Sequence, residues 1–217
     1  MALRGGRRFF IGLLFFLATV VIHSRTVSGE GNLLSPRPVE TDPLWSVFIF
    51  GGTTVEANNF TILMATPWDG QYGRYNFLGG AVSGRLGRLY NNFIVDLEVG
   101  AGYRFKHFSS PETWVALYLR YDGFPWNHVV YTTVAVNTGL SYVEKVSPAE
   151  IESCFSKGNP KCSKLLHYLG PEITFARPDN RNSEIVIRWH HRSGIFGFMN
   201  NSWGGPNILT GGFRQRY

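Results

Sequence analysis

Between Phe93 and Phe105 the chain alternates without a break. The odd positions are Phe93, Val95, Leu97, Val99, Ala101, Tyr103 and Phe105, and the even ones include Asp96, Glu98, Gly100, Gly102 and Arg104. Successive side chains of a β-strand point to opposite faces, so this stretch makes a strand with one apolar face and one face of charge and glycine. The period holds for thirteen residues, longer than most strands of soluble sheets. The same split recurs in 114–122, where Val115, Leu117, Leu119 and Tyr121 oppose Arg120 and Asp122, and again in 184–193 and 208–217.

Such runs occur near 44–52, 76–88, 92–106, 112–122, 130–143, 166–177, 183–193 and 206–217, eight in all. In a soluble sandwich the apolar face would pack on a second sheet; in a transmembrane barrel it faces lipid and the polar face fills the lumen. The polar face carries Arg85, Asp96, Glu98, Arg104, Arg120, Asp122, Glu172, Arg188 and Arg214, acids and bases that can pair in a narrow lumen. A solvated sheet face, as in a soluble periplasmic lipid-binding barrel, is the alternative. Links at 88–92, 124–129 and 178–182 are short and those at 53–75, 144–165 and 194–205 long, which orients a barrel with its short turns inward. Within the 144–165 link, Ser147-Pro148-Ala149-Glu150 supplies an N-cap, a first-turn proline and an N3 acid for a short helix.

The N-terminus supplies the route to a membrane. Arg4, Arg7 and Arg8 precede an apolar run from Phe9 to Ile22, followed by small and polar residues such as Ser24, Thr26, Ser28 and Gly29. That order is a signal peptide, and a run of fourteen residues falls short of the roughly twenty of a spanning helix. Residues 1–29 are therefore expected to be a signal peptide, 30–43 a leader and 44–217 the barrel domain. The expected fold is all-β, an eight-stranded antiparallel outer-membrane β-barrel, and the expected location is the outer membrane. The C-terminal aromatic Tyr217, on the last run, agrees with this.

Aromatic residues make up 15% and charged residues 17% of the chain, against about a quarter charged in soluble domains. The net charge of +6 points to an anionic partner. An exported chain seldom meets nucleic acid, and its Lys and Arg residues are scattered rather than gathered in an arm, so anionic lipid is the better match. Lys157, Lys161 and Lys164 in the long outer link are candidates to meet lipid phosphates. Cys154 and Cys162, the two cysteines of the chain, lie in a polar segment that an oxidising compartment would let pair.

The stretch Ile185-Val186-Ile187-Arg188-Trp189-His190-His191-Arg192-Ser193 closes a run at its outer end. Alternation places Ile185, Ile187, Trp189, His191 and Ser193 on the lipid face, where a histidine and a serine are costly unless they sit at the interface or act. Residues two apart on a strand are ~6.6 Å apart, within reach for an imidazole acting as general base to a serine nucleophile. The plain alternative is a histidine marking the membrane interface. Adjacent His190 and His191 point to opposite faces and cannot chelate one ion. His107, His128 and His167 lie on other segments without ligand spacing, so no metal and no organic cofactor are expected.

The C-terminal stretch, His191-Arg192-Ser193-Gly194 followed by Gly205-Pro206-Asn207 and a final strand, resembles the bacterial outer-membrane lipid A 3-O-deacylase family. The resemblance implies an eight-stranded barrel with a serine esterase site on its outer surface, His191 as base, Ser193 as nucleophile and lipid A of lipopolysaccharide as substrate. The family's third member, a glutamate, falls near Asn207, an amide that orients an imidazole without adding charge. Glu172 and Glu184 alternate toward the lumen and are poorly placed to replace it. The family's asparagine after the serine is Gly194 here, so the oxyanion donors are expected to be the backbone N–H groups of Gly194 and Ile195, or the amides of Asn200 and Asn201. A non-catalytic structural or adhesive barrel is the rival reading, and a homo-oligomer is compatible with either.

Overall fold

The computed structural model describes residues 34–35, 43–56, 70–90, 92–155, 158, 162–195, 197–199 and 205–217. The expected signal peptide, nearly all of the leader, Lys157, Lys161, Asn200 and Asn201 lie outside them.

Among the described residues ten strands form one antiparallel sheet: β1 (Leu34–Ser35), β2 (Trp45–Glu56), β3 (Gln71–Leu89), β4 (Phe93–Lys106), β5 (Ser110–Tyr121), β6 (Tyr131–Val143), β7 (Leu165–Leu169), β8 (Glu172–Arg177), β9 (Asn180–Ser193) and β10 (Asn207–Arg216). From β2 to β6 each strand pairs with the next; β6 pairs with both β7 and β8, which share β9, and β10 pairs with β9 and back onto β2. With β7 and β8 in tandem, the ring has eight staves and no free edge, and a closed barrel is the one β architecture that satisfies its backbone within lipid. The segment β1 lies against the inner end of β3, Leu34 opposite Leu89.

The expected run 166–177 is not one strand. Gly170 and Pro171 interrupt it, because proline brings no N–H to the ladder. Instead the Gly170 N–H donates to Asn137 Oδ1, and the Pro171 carbonyl accepts from the Trp189 N–H at 3.0 Å. The inner links are 90–92, 122–130 and 178–179, the second longer than the alternation suggested; of the outer links, 107–109 is short. Strands β2 and β3 run on into the expected 53–75 link, leaving only 57–70 between them.

The outer face is apolar. Ile49, Leu78, Val82, Val99, Val115, Val136 and Ile185 are exposed there, a surface that water disfavours and hydrocarbon accepts. Exposed aromatics flank it: Tyr72, Tyr103 and Tyr142 towards the outer end, and Trp45, Tyr90, Trp126 and Tyr217 towards the inner. Aromatic belts at two levels are the mark of two membrane interfaces. At the inner one the rings of Trp45 and Tyr217 stack at 4.3 Å.

The lumen is filled. Aromatic rings from Phe48, Phe50, Phe77, Trp114, Tyr118 and Tyr168 pack together inside, so the inward face is richer in aromatics than the charged alternation of β4 implied. Glycines make the room: a side chain at Gly100 would overlap the Trp114 ring, and one at Gly102 the Phe77 ring. Between the rings runs a charge network. Glu172 bridges Arg120 at 2.7 Å, Arg188 at 2.6 Å and Arg214 at 2.7 Å; Glu98 takes Arg188 at 2.8 Å; Glu184 takes Arg214 and Arg216. Arg188 also lies over the rings of Phe48 and Tyr118, at 4.6 and 4.9 Å.

The outer mouth is capped by α1 (Pro148–Phe155). The capping box forms as its residues require, with the Ser147 N–H donating to Glu150 Oε2 at 2.9 Å and the Glu150 N–H to Ser147 Oγ at 3.3 Å. The Glu150 carboxylate enters the mouth and pairs with Arg104 at 3.2 Å and with Arg192. Cys154 and Cys162 are joined as a disulfide that closes this loop.

Candidate functional site

Strand β9 positions the candidate residues, because its side chains alternate in and out to its outer end. Arg188, His190 and Arg192 point inward and are fully buried, while Ile185 and Ile187 are exposed outward. His190 is a lumen residue: its Nε2 lies 2.8 Å from Glu112 Oε1, and the rings of Phe77, Trp114 and Tyr168 surround it at 4.8, 5.0 and 4.7 Å. His191 and Ser193 face outward, half-buried. Trp189 shares that face yet is only 8% exposed, because it packs with Val55 and Leu209.

The ladder fixes what surrounds the pair. His191 stands opposite Asn207 of β10 on one side and Leu169 of β7 on the other. The Asn207 side chain and the Pro206 backbone lie beside its imidazole. Ser193 stands opposite His167 of β7. His167 was set aside in the sequence for want of ligand spacing, and pairing across strands is what brings it here. Directly opposed residues have Cβ atoms ~5 Å apart, closer than the ~6.6 Å between alternate residues of one strand. The His167 side chain is 93% buried by its 7% exposure; its Nε2 lies 2.9 Å from Thr138 Oγ1, and its Nδ1 has no hydrogen-bond partner among the described residues. No feature along a single strand signals that neighbour; a strand-pairing register would.

Beyond Ser193 the chain turns at once. The Ile195 N–H donates to Ser193 Oγ at 3.1 Å, the Phe198 N–H to Ile195 O at 3.1 Å and the Met199 N–H to Gly194 O at 2.9 Å. Ile195 has φ 50° and Gly197 φ 87°. A left-handed β-branched residue is strained by about 1–3 kcal/mol, and here the strain aims a backbone N–H at the serine hydroxyl. Gly194 is buried in the same turn.

The site's depth follows from the register. His167 pairs with Leu140 of β6, one rung inward of Tyr142 opposite Leu165. Tyr142 belongs to the outer aromatic belt, so His191 and Ser193 stand just inside the outer interface, where ester linkages of an outer-leaflet lipid meet its acyl chains. Chemically, the arrangement offers a hydroxyl, two imidazoles and an orienting amide on a surface that only a membrane-borne molecule reaches. Lys164, the one described lysine of the expected phosphate-binding trio, holds Arg192 Nη2 on its backbone carbonyl at 2.6 Å. Glu172 and Glu184 are in the lumen ion network, as their alternation required.

No family model matches the chain, and no curated protein does. Among solved structures, Neisserial surface protein A is similar over 80% of this chain and 97% of its own, at 11% identity and a TM-score of 0.50. This chain is an eight-stranded outer-membrane β-barrel. A de novo designed transmembrane β-barrel matches over 82% of this chain and 100% of its own, at 11% identity and a TM-score of 0.44. The N-terminal β-barrel domain of Pseudomonas aeruginosa OprF matches over 81% and 98%, at 9% identity and a TM-score of 0.43. At 11% identity the likeness to Neisserial surface protein A carries the fold alone; the exposed apolar band between two aromatic belts is this barrel's own support for an outer-membrane location.

Proposed function

We propose that this outer-membrane barrel is an esterase that removes an ester-linked acyl chain from lipid A. The observation that carries the reading is the outward placement of His191 and Ser193 at the outer interface, with Asn207 opposite the imidazole. In this reading Ser193 Oγ attacks the ester carbonyl while His191 takes its proton. The same imidazole returns the proton to the departing lipid A alkoxide, and water then hydrolyses the acyl-serine by the reverse proton path. Asn207 orients the ring, and the Ile195 N–H, already at the serine oxygen, is the nearest oxyanion donor. Such a reaction uses side chains and backbone alone and draws on no cofactor. Lys164 stands in the outer loop on the headgroup side, suited to a lipid A phosphate.

The second reading is a non-catalytic structural or adhesive barrel. The comparisons favour it, since the solved barrel similar at a TM-score of 0.50 is a Neisserial surface protein. The amide in place of a carboxylate at Asn207 favours it too. Mass spectrometry of lipid A from cells making the wild-type chain or Ser193→Ala separates the two. The esterase reading expects loss of one acyl chain with the wild type and full acylation with Ser193→Ala, both folded and in the outer membrane. Unchanged lipid A with the folded wild type leaves the non-catalytic barrel standing.

A further inference from the structure

The interruption between β7 and β8 has an outward consequence. With Gly170 and Pro171 out of the regular ladder, the outer face holds a groove of about 450 Å³. Trp189, Ile187, Ile173, Val136 and Leu119 line it, and Phe93 closes its far end. Trp189 and Ile187 lie on the same face of β9 as His191 and Ser193, and Ile173 pairs with Ile187 across the ladder. The groove therefore begins at Trp189, two residues inward of His191 on the same outward face of β9. Trp189 stands four positions before Ser193, ~13 Å along the strand, and four strand spacings of ~4.8 Å separate β9 from β4 at the far end. A short acyl group held at Ser193 would stop before the groove, and a long one would enter it.

We infer that this groove holds the acyl chain of the ester positioned at Ser193 and gives the site its preference for long chains, an inference that rests on the esterase reading above. Lipid tails are as apolar as the groove, so burial from water supplies no preference within the bilayer. What distinguishes the groove from the surrounding hydrocarbon is shape: it gives the substrate's own chain contacts on more than one side and holds the ester in line with the serine. The preference is accordingly modest.

The test uses the full chain refolded in detergent micelles, with p-nitrophenyl butyrate and p-nitrophenyl palmitate as probes. The wild type should cleave palmitate faster than butyrate. Ile173→Trp, which fills the groove, should lower the palmitate-to-butyrate ratio by about tenfold, the small end of what a misfit in an apolar pocket costs. Leu78→Trp on the outer face of β3, away from the groove, should keep the wild-type ratio. An unchanged ratio in Ile173→Trp overturns the inference while leaving the esterase reading in place. If the wild type cleaves neither ester, the esterase reading fails, and the groove is judged by a second measurement. A diazirine-bearing palmitic acid is photolysed in the same micelles and its adducts are mapped by mass spectrometry. Labelling concentrated on 171–189 and reduced in Ile173→Trp supports an acyl-chain groove; labelling spread evenly over the outer face removes it.

Discussion

Two residues show how much one position can carry in this barrel. Glu172 is a fully buried carboxylate shared by Arg120, Arg188 and Arg214. Removing its charge leaves three guanidinium groups short of a counter-charge in a lumen with little water, a loss of about 3–5 kcal/mol for a broken buried pair. Glu172→Gln, which keeps the volume, should lower the urea midpoint at which the barrel loses its compact gel mobility, while Lys145→Gln on the surface should not. At the site, Asn207 presents an amide where a carboxylate would also stabilise an imidazolium. Asn207→Glu should therefore raise the rate of lipid A deacylation, read as product per folded protein; an unchanged rate would remove Asn207 from the orienting role. His191→Ala should match Ser193→Ala, since nucleophile and base act as a unit. His167→Ala, opposite the serine, should cost less than either.

At the scale of elements, the short helix α1 is a plug held by one carboxylate and one disulfide. Its capping box ties Ser147 to Glu150, and the same Glu150 reaches Arg104 and Arg192 in the mouth. The cap and the latch are thus one side chain, so losing it frees the helix start and the mouth together. The Cys154–Cys162 bridge spans a sequence separation of only 8, and short loops gain least from cross-linking, about 2–3 kcal/mol. Reduction should therefore speed proteolytic cutting within 144–164 without unfolding the staves, as mapped by mass spectrometry of the fragments. Loss of barrel mobility on reduction would assign the disulfide a global role that its short loop does not predict. Strands β7 and β8 make the complementary point: a single proline turned one expected strand into two and opened the outer face beside the site.

For the whole molecule, the aromatic slab and the ion network fill the interior between the inner turns and α1. Rings and paired charges that occupy the interior in this way are expected to block the passage of ions. Reconstituted in a planar bilayer, the wild type should show no stepwise conductance, and regular ion-conducting steps would contradict the filled lumen. The esterase proposed above would accordingly act at the outer surface, on the outward-facing residues of β9, and not through the lumen.

Alternation along the chain was enough to determine the barrel, the lumen side of Glu172 and Glu184 and the outward side of His191 and Ser193, and short local patterns the capping box at Ser147 and the cysteine pair. Each is a local property, set by a period of two, by a three-residue cap or by a short separation in a polar loop. What only the tertiary structure decided depends on how distant strands align. The opposition of His167 to Ser193, the meeting of three arginines on Glu172 and the groove beside Pro171 all follow from the register between strands. Register is fixed by closure of the whole ring and by packing of its interior, and no window of the sequence contains it.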